Sequence, residues 1–167
     1  MLLTSKDANK LLKQLSSELD SLKRQEGRNK LFPAANIEDV EAVRPEYDYR
    51  AIQKKINEVE EKIIRVKHAI NKFNVETVVP EFSKTIDEML VYIPQLSAKK
   101  IKLWEMKDVP KMERAPHFHG ANIIDYTHRN YDAAEVEEDY RNIEAELTKA
   151  QIALDRINIS ETFEIEI

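Results

Sequence analysis

The chain has 167 residues, a formal net charge of −5, 34% charged residues and only two glycines. That length suits one domain with its own core, and the composition suits long charged helices better than a sheet sandwich or a disordered tail. The absence of cysteine excludes disulfides, thiolate metal ligands and a cysteine nucleophile, and so small a net charge gives no global reason to expect a nucleic-acid or anionic membrane partner. The opening MLLTSKDANK lacks the apolar region of a secretory signal, and no run approaches the ~18–20 apolar residues that span a bilayer. The expected location is therefore the cytoplasm.

Taken in order, Thr4 with Asp7 three residues on forms a capping-box start. Ala8, Leu12, Leu15, Leu19 and Leu22 then recur in steps of four and three, with Leu11 widening the stripe. Gly27 offers a stop, so the first helix is expected over about 5–27. From 28 to 48 the periodicity fails. Pro33 and Pro45 flank IEDVEAV, which suits one short helical turn inside an otherwise long connection.

Asp48 is the expected N-cap of the second helix, over about 50–73. Its apolar residues are Ile52, Ile56, Val59, Ile63, Val66, Ile70 and Phe73, an unbroken seam with a mean spacing of 3.5 residues. Such a seam spans roughly 33 Å of helix and must be covered by a partner helix. NVETVVP is a tight link, which makes the second and third helices an antiparallel hairpin. The third helix, expected over about 81–107 from near Pro80, carries Phe82, Ile86, Met89, Ile93, Leu96 and Leu103. Lys100 breaks the seam, Ile101 and Trp104 add apolar surface beside it, and Pro94 is expected to kink or split the helix.

The connection 108–131 contains Pro110, Pro116 and Gly120, with an extended segment expected at about 122–128. Asp132 then caps a fourth helix over about 133–157, with the seam Val136, Tyr140, Ile143, Leu147, Ala150, Leu154 and Ile157. Alternation at Phe163, Ile165 and Ile167 gives the tail, about 159–167, the pattern of a short strand that could pair with 122–128. The fold expected is a mainly α, antiparallel helical bundle or coiled-coil hairpin of about four helices. It has a small β element and forms a single domain over 1–167.

Between Arg50 and Lys72 seven basic residues stand against three acids, whereas eight acids stand against three bases between Asp132 and Ile157. The second and fourth helices are thus candidates for contact, within one chain or across a dimer; two solvated faces are the equally weighted alternative. His117, His119 and His128 could ligate a metal such as zinc if they converged, although isolated histidines in an irregular segment are the simpler reading. Neither a glycine-rich phosphate loop nor a nucleophile elbow nor a Glu-x-x-His helix motif is present. The sequence thus assigns no catalytic, cofactor or metal residue. Lys54, Lys55, Lys62, Arg65, Lys67 and Lys72 could form a basic stripe for nucleic acid, but acids interrupt it and no aromatic platform accompanies it.

At INKFNVET, Ile70 to Thr77, the chain resembles the I-N-x-x-N-x-x-T turn of a small bacterial family labelled septicolysin-like. SKTIDEMLVYIPQLSAKKIKLWEM is similar to that family's next helix, and YDAAEVEEDYRNIEAELTKAQIALDRINISETFEI to its final helix and tail. The resemblance covers most of the chain and carries over Asn71, Asn74 and Thr77 at the hairpin turn and Asn158 near the end of the last helix. Family members usually have Trp after that last Asn, where this chain has Ile159. The resemblance implies a helical hairpin or bundle that self-associates. The family label implies a membrane-active cytolysin, for which this sequence offers neither a secretion signal nor a barrel-forming hairpin. The expected function is a non-enzymatic, self-associating interaction or scaffold module, with a homo-oligomer or an unknown protein as partner. A nucleic-acid-binding helical hairpin is the alternative, and a cytolysin the remote one.

Overall fold

The computed structural model describes residues 1–115 and 123–167. Among these the chain is mainly helical, with five helices and three short antiparallel strand pairs. Its contacts divide it into two compact units, Met1–Thr77 with Arg156–Ile167, and Val78–Asp155.

The first unit is built on α1 (Ser5–Asn29) and α3 (Tyr49–Glu76), which run antiparallel. Lys23 meets Glu60 at 2.8 Å, and Glu26 accepts from Gln53 at 2.6 Å. The expected seams are the contact. Ala8, Leu15, Val59, Val66 and Ile70 are buried together, with Leu11, Leu12, Leu19, Leu22 and Ile63 packed around them. Strand β1 (Leu2–Thr4) pairs with β6 (Thr162–Glu164), and Ile165 just beyond enters the same core at 1% exposure. The tail strand thus exists, but its partner is the start of the chain rather than the 122–128 segment. Alternation reveals a strand's faces; it carries no information about which edge the strand will find.

Thr4 caps α1 through the Asp7 amide, as its sequence promised. The helix does not stop at Gly27, however. It runs to Asn29, with Lys30 donating to Glu26, and Gly27 does not adopt a positive φ. The 30–48 connection is fastened locally. Asp39 caps the single turn α2 (Val40–Val43), Glu41 holds Arg44 at 2.7 Å, and Arg44 lies over the Phe32 ring.

In the second unit, β2 (Val78–Val79) and β3 (Lys84–Thr85) form a tight hairpin, with Ser83 at φ 50°. Helix α4 (Ile86–Lys107) begins after this hairpin and not at Pro80. Its start is set by a capping box in which Thr85 accepts from the Glu88 amide while Glu88 accepts from Thr85 at 2.7 Å. Two satisfied orphan donors outweigh what a proline at a first turn supplies. Helix α4 continues through Pro94 without splitting, and Leu90, whose carbonyl loses its usual amide partner there, lies on the exposed side.

Helix α5 (Ala133–Ser160) runs antiparallel to α4. Lys107 pairs with Glu137 at 3.9 Å, Lys100 with Glu144 at 2.7 Å, and Tyr92 donates to Glu146. Lys100, the one polar break in the third seam, is therefore an interhelical ion-pair position. Val136, Leu147, Ala150 and Leu154 are buried, as the fourth seam requires. Strands β4 (Met112–Arg114) and β5 (Tyr126–His128) make a solvent-exposed ribbon, tied to the helices by Tyr131 donating to the Met106 carbonyl at 2.7 Å.

Candidate functional site

Two surfaces stand out, one in each unit. The first is a groove of about 580 Å³ beside β6, with α3 as its other wall. Helical spacing places Arg65, Ala69, Lys72 and Glu76 on one stripe of α3, next to the seam that packs on α1. Phe73 and Phe163 stack with ring centres 4.4 Å apart at the groove's base, while Glu164 and Glu166 project from β6 and the segment after it. No residue of β1 lines it, so the groove lies along the edge of β6 that faces away from β1.

The hydrogen-bond ladder defines what that edge offers. Met1 and Ile165 exchange two backbone bonds, each 2.8 Å. In an antiparallel pair such exchanges occur at every second residue, so Leu3 and Phe163 make the next one. Thr162 and Glu164 must then turn their N–H and C=O groups outward, toward the groove side.

The second surface is the outer face of α4. Leu90, Val91, Ile101 and Trp104 are each half exposed or more. At 100° per residue they fall, with Pro94, Ser97, Ala98 and the acids Asp87 and Glu105, within about 140° of arc opposite the buried Met89 and Leu96. Together they present roughly 400 Å² of apolar surface, the size of the largest patch on a typical monomer, which is often functional.

The residues singled out in the sequence are distributed differently. Asn71 and Asn74 lie inside α3, which extends to Glu76, and Thr77 is its C-cap, donating its amide to Phe73 at 2.9 Å. Asn158 lies inside α5. Thr77 lines the groove; the three asparagines do not. His117 and His119 lie outside the described residues, and His128 is exposed in β5 opposite Met112. Among the described residues no three metal-capable side chains converge. The basic stripe of α3 is partly matched on its own helix, with Lys54 near Glu58, Arg65 bonded to Glu61 and Lys72 near Glu76. Lys100 is held above and Glu144 below their ordinary pKa values, chiefly by the hydrogen bond between them.

The groove was not legible in the sequence, because its walls come from residues about 90 positions apart. The α4 face was partly legible, in Ile101 and Trp104 beside the failed seam position. No helix among the described residues is long and apolar enough to cross a membrane.

No family model and no curated protein matches the chain. A crystal structure of a functionally unknown conserved protein from Corynebacterium diphtheriae is similar to it, with a TM-score of 0.58 at 15% identity. The similarity covers 98% of this chain and 100% of that one, and at such identity it speaks for the fold alone.

Proposed function

We propose that the protein is a non-enzymatic helical interaction module that self-associates, its bundled helices pairing across copies through the outer face of α4. The observation that carries this reading is the exposed row Leu90, Val91, Ile101 and Trp104. An antiparallel two-fold pairing centred between Ser97 and Ala98 sets Trp104 of one copy opposite Val91 of the other and Ile101 opposite Pro94, while Leu90 falls opposite Glu105. The small side chains at the axis let the two backbones approach, and large residues meet large ones only toward the ends. Roughly 400 Å² per copy is small for an interface, so the dimer is a weak one, with a dissociation constant in about the micromolar range.

Trp104 is the chain's single tryptophan, so its emission reports on this face alone. Raising the protein concentration from about 1 to 100 μM, across the expected dissociation range, shifts the emission to the blue as the indole leaves water. An emission maximum that stays that of a solvated indole at every concentration overturns the proposal.

A further inference from the structure

We propose that the groove between α3 and the free edge of β6 binds an extended peptide of a partner protein, which adds to β6 as a third strand and carries alternating basic and apolar residues. Free edges are common to all three strand pairs, but this one opens into a groove walled by a helix and floored by an aromatic stack. The outward-turned amide and carbonyl of Glu164 provide the main-chain bonds that strand addition requires.

The side chains state which peptide fits. A residue exchanging backbone bonds with Glu164 has its own side chain beside the Glu164 carboxylate, and the residue two positions earlier lies beside Glu166. Both favour Lys or Arg. The residues between them point to the opposite face, with Phe163 and Ile165, over the α3 wall, where Ala69 and Phe73 stand among Arg65, His68 and Lys72. Apolar groups fit there against the aromatic stack, and basic ones are disfavoured beside those cations. A second copy of this chain is a poor occupant of the same edge. Two β6 strands paired about Glu164 would set Glu164 against Glu164 and Glu166 against Thr162, placing like charges directly across the new ladder. The acidic edge thus discriminates against self-pairing while favouring a basic strand, and this site is independent of the α4 face.

The test pans a displayed library of random ten-residue peptides against the full-length Trp104→Glu variant, so that pairing through α4 does not interfere. Enriched peptides are expected to alternate Lys or Arg with apolar residues. Their synthetic forms should weaken roughly 5- to 30-fold on Glu164→Lys, and N-methylation of the peptide amide facing Glu164 should abolish binding. Amide exchange at Glu164 should slow when peptide is bound. Absence of enrichment, enrichment without the basic alternation, or binding indifferent to both Glu164→Lys and N-methylation overturns the proposal. So does a dimer of the Trp104→Glu chain that Glu164→Lys dissolves, since the edge would then take a second copy.

Discussion

Replacing Ile165 by alanine tests whether the tail closes the core of the first unit. Ile165 is 1% exposed, sits among Ala8, Leu15, Val59, Val66 and Ile70, and is tied through its backbone to Met1. The change removes three carbons, worth about 2.4 kcal/mol at ~0.8 kcal/mol per buried methylene. Incomplete collapse of the cavity adds up to about 2 kcal/mol, for a total of roughly 2.5–4.5 kcal/mol. In a chain of this length that corresponds to a fall in Tm of about 6–15 °C, read by far-ultraviolet circular dichroism. Ile167→Ala, two residues on and 43% exposed, is the matched control and should cost within about 0.5 kcal/mol. Equal effects of the two substitutions would refute the register, because a strand shifted by one residue would bring Glu164 and Glu166 inward instead.

Gly27→Ala should stabilise the chain by up to about 0.5–1 kcal/mol, since the residue is helical and a Cβ there meets nothing within 4 Å; urea unfolding measures it. Thr85→Ala should cost about 1 kcal/mol through loss of the α4 cap, whereas Ser83→Gly should be neutral or stabilising because it relieves a positive φ. Glu88 has its carboxyl pKa lowered mainly by the Thr85 amide bond, so its contribution is full above the unfolded value near pH 4.5 and is lost as pH falls through the lower folded one. Comparing Glu88→Ala with the parent across pH 2–6 should show the difference in stability closing at the acid end. For the Lys100–Glu144 pair the shifts run outward in both directions. Lys100→Met should therefore destabilise at neutral pH, and its deficit should shrink below the ordinary carboxylate range and again above about pH 10.4.

What was legible in the sequence was periodicity. Six of the seven seam positions of α3 are buried and the seventh, Ile63, is partly so, because a 3.5-residue repeat leaves little choice of which face to cover. The caps at Thr4 and Asp48 were readable for the same local reason, a side-chain acceptor within three residues of an amide it satisfies. Long-range pairing was not readable. Leu2–Thr4 carries no signal of the strand about 160 residues away that it meets. Length, likewise, gave no hint that the contacts divide into two units. At Pro80 and Gly27 strong single-residue signals yielded to better-satisfied hydrogen bonds nearby, at the Thr85–Glu88 box and at Lys30.

The central claim is that the outer face of α4 is where one copy meets another. Light scattering on eluting protein, loaded from about 1 to 200 μM on the parent chain and on Trp104→Glu side by side, tests it most directly. A mass rising from 19.5 kDa toward twice that value is expected for the parent, and 19.5 kDa throughout for the variant. A parent that stays at 19.5 kDa over the whole range, or a variant that associates as the parent does, would contradict it.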